Sequence, residues 1–134
     1  MADMYDFDRF LRYDELMAWI DDLATEHPDL VTIETYGQSH EGRDLRLVTV
    51  TDQSTGSHNT KPAHWIDANI HSVELTASVA ACRVLQHLVE GFVTGDEMVT
   101  RALRTRTLYV VPRVNPDGAG GARADSPRDR RPRV

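Results

Sequence analysis

The order of apolar runs after residue 63 constrains this chain more than any other feature. His64 to Ile70 (His-Trp-Ile-Asp-Ala-Asn-Ile) is a mostly apolar run, of the kind expected for a strand covered on both faces. A helical pattern follows from about Val73 to Val89, where Ala77, Ala80, Ala81, Val84, Leu85, Leu88 and Val89 form a broad apolar stripe. A shorter helix is predicted over Asp96 to Arg104, and a second buried strand over Thr107 to Val111. Strand, helix, helix, strand is a crossover, and crossovers join parallel strands.

Upstream, Leu16, Trp19, Ile20 and Leu23 recur at helical spacing within Tyr13 to Glu26, with Asp14 as candidate N-cap and His27-Pro28 as the stop. Val31 to Tyr36 and Leu45 to Thr51 alternate as half-buried strands do, and the polar stretch Gly37 to Arg43 between them implies an antiparallel hairpin. Thr51 to Pro62 reads as a loop, and Asn115-Pro116-Asp117-Gly118 as a turn. A hairpin followed by a crossover predicts an α/β domain with a mixed sheet and helices packed on it. Past Gly118 the apolar period fades, so the domain is expected to be incomplete at the C-terminus.

Net charge is −6, which argues against a general nucleic-acid binder. The end of the chain departs from that average: Arg123, Arg128, Arg130, Arg131 and Arg133 stand against Asp125 and Asp129, and a solvated, poorly ordered tail is its expected state. The single cysteine, Cys82, excludes an internal disulfide and a cysteine metal cluster, and it reads as core. No secretory leader is visible and no apolar run reaches membrane-spanning length, so no membrane partner and a cytoplasmic location are expected. Oligomeric state is not legible, though an exposed sheet edge invites self-association.

His71 and Glu74 form a His-x-x-Glu pair. Imidazole nitrogen and carboxylate oxygen are both good zinc donors, and a site with few protein ligands leaves room for water or substrate. Spacing alone decides little, because His87 and Glu90 repeat it inside a helix, where they read as a surface pair. What distinguishes the first pair is its place between a strand end and a helix start, where α/β sheets put their ligands. Asp67 is a candidate carboxylate for orienting the histidine, or equally a core carboxylate satisfied by backbone donors. Glu41 and Arg43 read as a local ion pair bracing the turn, Asn115 and Asp117 as caps of theirs, and His40, His58 and His64 as surface or sheet-edge residues.

Three stretches together resemble the zinc carboxypeptidase family: Gly37-Gln38-Ser39-His40-Glu41-Gly42-Arg43, His71-x-x-Glu74 after Asn69-Ile70, and Val114-Asn115-Pro116-Asp117-Gly118. The resemblance covers roughly residues 9 to 131. It implies a three-layer sandwich, with residues 1–12 as lead-in, 13–122 as the N-terminal portion of the peptidase domain and 123–134 as an Arg-rich tail. It implies Zn2+ as cofactor, His71 and Glu74 as two of its ligands, a peptide substrate, and Arg131 (or Arg130) as the arginine facing the developing oxyanion. The family's third ligand, a histidine, its Asn-Arg pair and its glutamate base find no counterpart here, so the chain is expected to be a truncated form of low or no activity. An amidoacid deacylase of related fold, which also uses His-x-x-Glu, and a non-catalytic fragment are the alternatives.

Overall fold

A computed structural model describes residues 5–122. Helix α1 spans Tyr13–Glu26, strands β1 and β2 span Val31–Gln38 and Asp44–Val50, and strand β3 spans Ala63–Asp67. Helices α2 (Leu75–Thr94) and α3 (Glu97–Thr105) lead to strand β4 (Thr107–Val111) and helix α4 (Pro116–Ala122). Two short 3-10 turns, Gln53–Thr55 and His58–Thr60, lie in the expected loop.

The sheet order is β1-β2-β4-β3. β1 and β2 form the expected hairpin, with Ile33 opposite Val48 and a register shift between Thr35 and Gly37. β2 pairs with β4 antiparallel, and β3 runs parallel to β4 with Ile66 beside Val110. The sheet is therefore mixed, and the crossover joins a parallel pair as the order of elements requires.

One sheet face carries Val31, Ile33, Val48, Val50, Ile66, Leu108 and Val110 into the core, where they meet Leu16, Ile20 and Leu23 of α1, Leu85 and Val89 of α2, and Leu103 of α3. Leu16, Ile20, Leu85 and Leu103 are fully buried, and burying such a side chain stabilises the fold by about 1.5–3 kcal/mol. The other face carries Trp65, Tyr109, Thr49 and Leu47, which share a side through the strand register, and Trp65 is 55% exposed.

That exposure corrects the expectation for β3. It is not covered on both faces: within the described residues it lies at the sheet edge with β4 as its one neighbour, and Ala63, His64, Trp65 and Asp67 are exposed. The strand also ends at Asp67 rather than Ile70, because Asn69 takes φ = 60°. That left-handed backbone cannot continue a strand, and asparagine is among the few non-glycine residues that adopt it readily.

Helix ends also moved where capping chemistry overrode the apolar pattern. Asp14 lies within the first turn of α1; Arg12 is the N-cap residue, and its N–H donates to the Glu15 carboxylate at 2.6 Å. α2 runs on to Thr94, where Gly95 closes it in the left-handed conformation (φ = 77°). Asp96 caps α3 by accepting from the Val99 N–H at 2.9 Å. Asn115 to Gly118 begins a helix rather than forming an isolated turn. Proline 116 takes the first helical position, where its missing N–H costs nothing. No helix among the described residues is long and apolar enough to cross a membrane.

Candidate metal centre

The chain leaves the sheet in steps that set where His71 and Glu74 stand. Past β3 the pairing continues briefly: the Ala68 N–H donates to the Val111 carbonyl at 3.0 Å, and the Val114 N–H to the Ala68 carbonyl at 2.9 Å. At Asn69 the backbone reverses hand, and residues 70–73 turn outward. The Glu74 N–H then donates to the His71 carbonyl at 3.1 Å, and Glu74 becomes the N-cap residue of α2. A carboxylate there is favoured by the positive end of the helix dipole.

The two side chains converge. His71 Nδ1 lies 3.1 Å from Glu74 Oε2, with the side chains 73% and 62% exposed. Zinc–nitrogen and zinc–oxygen bonds of about 2.0–2.2 Å at tetrahedral angles place two donors roughly 3.3 Å apart. The separation is thus close to that of two donors on one ion, although here the two side chains face each other directly as a hydrogen-bonded pair, and the pair stands open to solvent. The second pair of like spacing does not do this: Glu90 accepts from Gln86 Nε2 at 2.6 Å, and His87 is exposed on α2. Among the described residues no group of three or more His, Cys, Asp or Glu side chains could hold a metal.

Two asparagine amides support the loop from beneath. Asn69 is buried, and its Nδ2 donates to the carbonyls of His71 (3.0 Å) and Glu74 (3.2 Å), reaching that of Ser72 at 3.4 Å. Asn115 Nδ2 donates to the Ile70 carbonyl at 3.3 Å, while its Oδ1 accepts from the Gly118 N–H at 3.0 Å and so caps α4. Gly118 is needed there: a Cβ would lie 2.3 Å from Ser72 Cβ.

Asp117 does not cap its own turn. It reaches the hairpin turn, where its carboxylate accepts from Ser39 Oγ (2.8 Å), from the Glu41 N–H (3.0 Å) and from Arg43 Nη1 (2.6 Å). Arg43 also pairs with Glu41, as expected, and its N–H donates to Ser39 Oγ at 2.9 Å. Partial burial alone would raise the Asp117 pKa, but the donors of Ser39, Glu41 and Arg43 outweigh it and hold the carboxyl below its usual value. Tyr13 ties α1 to the same corner by donating its hydroxyl to the Asp44 carbonyl at 3.0 Å.

Asp67 does neither thing expected of it. It is exposed, and it accepts from Trp65 Nε1 two residues back at 2.8 Å, since period-two alternation puts both on one face of an edge strand. His40, His58 and His64 are exposed, and His58 Nδ1 meets the Tyr109 hydroxyl at 2.8 Å. Arg131 and Arg130 lie outside the described residues. A further buried polar anchor follows β4 at Arg113. It is buried, donating Nη2 to the Leu11 carbonyl at 3.0 Å and Nε to Ser78 Oγ at 3.3 Å. A lone arginine after an apolar strand gives no signal of that role.

This architecture is an α/β domain with a mixed sheet and a His–Glu pair just past the end of a parallel strand. The zinc carboxypeptidase family model matches residues 16–133, and the chain belongs to that family. It is 33% identical over 113 residues to a carboxypeptidase B of Astacus astacus, an alignment spanning 84% of this chain and 35% of the relative. It is 31% identical over 114 residues to a carboxypeptidase A2 of Rattus norvegicus, spanning 85% and 26% respectively. Among solved structures, thrombin-activatable fibrinolysis inhibitor matches with a TM-score of 0.81 at 24% identity, over 92% of this chain and 30% of that one. The carboxypeptidase A of Helicoverpa armigera matches with a TM-score of 0.72 at 25% identity, over 84% and 26%. The chain thus spans about a quarter to a third of the length of these proteins.

Proposed function

We propose that this chain supplies two of the zinc ligands, His71 and Glu74, of a metallocarboxypeptidase that hydrolyses C-terminal peptide bonds. The observation that carries the reading is the 3.1 Å approach of Nδ1 and Oε2, on a loop inside the stretch matched by the family model. When bound, zinc would polarise a carbonyl and lower the pKa of a bound water. The residues of this chain would hold the ion, His71 through a ring nitrogen and Glu74 through a carboxylate oxygen, and their exposure leaves room for a peptide. Arg131 is the candidate for the developing oxyanion. The family match favours the peptidase over the amidoacid deacylase.

Two donors make a weak site. Among the described residues no third His, Cys, Asp or Glu completes a metal-holding group, so in this reading a third ligand and a glutamate base lie outside them. The complete activity is proposed for a protein of the relatives' length. The test is release of a C-terminal residue from a blocked peptide, read by mass spectrometry. The 134-residue chain with zinc is expected to give none above a zinc-only control. A longer protein containing it is expected to give release that His71→Ala abolishes. Zinc-dependent release by the short chain, lost in His71→Ala, would overturn the two-donor reading, and cleavage of N-acyl amino acids but not peptides would favour the deacylase.

A further inference from the structure

We propose that Asn69 is the positioning residue of this centre, its buried side-chain amide fixing the loop that brings His71 and Glu74 together. The inference rests on the zinc reading of that pair. Backbone geometry alone does not account for an asparagine here. The φ of 60° would suit glycine better, and the Asn69 side chain is 2% exposed with its Oδ1 accepting no hydrogen bond among the described residues. A buried acceptor without a partner is unfavourable, so the benefit lies at the other end of the amide. There Nδ2 faces three carbonyls, of His71 at 3.0 Å, Glu74 at 3.2 Å and Ser72 at 3.4 Å. The amide orientation follows from this, since a flipped side chain would set oxygen against three oxygens.

The consequence is geometric. Both ligands hang from backbone whose carbonyls one amide gathers, while the Asn69 carbonyl itself accepts from the Asn115 N–H at 3.2 Å. The loop is thereby referred to the end of β4 and the start of α4. His71 and Glu74 keep their relative position although both side chains lie in solvent. Groups that orient metal ligands typically change metal affinity 10- to 100-fold when removed.

The test uses the full chain and Asn69→Gly, which keeps the left-handed backbone and deletes the amide. Asn69→Asp, the same shape with an oxygen facing the carbonyls, serves if the glycine variant does not fold. Without zinc, amide exchange at Glu74 and Ala77 is expected to quicken about tenfold relative to β2 and β4. With zinc, the dissociation constant read from His71 ring signals is expected to rise at least about tenfold. Unchanged exchange at Glu74, or a uniform loss of protection across the sheet, would overturn the inference. So would unchanged zinc affinity in a variant with a loosened loop. If the parent and His71→Ala respond identically to zinc, the zinc reading fails instead, and the exchange result alone decides whether Asn69 braces the loop.

Discussion

At the scale of single residues, the Asp117 carboxylate joins two segments 74 residues apart, through Arg43 and the turn around it. Its pKa is held below the usual 3.8. A carboxyl lowered on folding contributes stability that is fully present above its unfolded value and is lost as pH falls through its folded value. Asp52 behaves alike: the Ser54 hydroxyl and N–H lower it, burial opposes them, and Arg104 helps. Thermal melting of the chain should therefore fall away below about pH 4. Asp117→Asn should melt a few degrees lower at pH 7, and the gap from the parent should close in acid, where the aspartic acid also is neutral. A gap that persists at pH 2 would show that shape, not charge, holds the corner. Cys82 titrates the other way. Burial pushes its thiol up to about 12 against a weaker lowering by Arg113, and it is 1% exposed. Thiol reagents should modify it only as the chain unfolds, so labelling across a urea series should track the loss of circular dichroism. The Glu41–Arg43 pair was legible in the sequence because its partners are neighbours. The reach of Asp117 was not, since only the fold brings positions 39 and 117 together.

At the scale of elements, Gly91 and Val99 set how closely α2 and α3 approach. A Cβ on Gly91 would lie 2.8 Å from Val99 Cγ2. Two effects oppose each other in Gly91→Ala: alanine improves helix propensity by about 1 kcal/mol, while overpacking costs about 1–3 kcal/mol. The net change should be destabilising. Combined with Val99→Ala, which removes the two methyl groups but leaves the residue 99 Cβ at 3.1 Å, the same substitution should cost less. Urea denaturation of the four proteins of this cycle checks the coupling; an equal Gly91→Ala effect in both backgrounds would mean that the helices do not meet there. The sequence located α1, β4 and the hairpin well, because apolar periodicity records which face is buried. It missed where β3 ends and how exposed that strand is. A strand's composition does not say which neighbours lie beside it, and the break at Asn69 depends on a single backbone angle. It read Asn115-Pro116-Asp117-Gly118 as a turn because the same residues begin a short helix equally well.

At the scale of the molecule, the described residues form a mixed four-stranded sheet with α1, α2 and α3 packed on one face, and within them the strand next to the candidate centre lies at the edge. The family was legible because three motifs in order are far more specific than any one of them. The proposed pair His71 and Glu74 stood out for its position, not its spacing, since His87 and Glu90 repeat the spacing inside α2. The loop's support from Asn69 and Asn115 was not legible, because side-chain donors to local carbonyls leave no periodic trace. The most direct test of the central claim is a zinc titration of the chain followed by nuclear magnetic resonance of its histidine rings. The account predicts weak, fast-exchanging binding that moves the His71 signals and the backbone of residues 70–75, leaves His87 in place, and disappears in His71→Ala and Glu74→Ala. Zinc that leaves His71 unmoved, or that binds equally well in both variants, would contradict it.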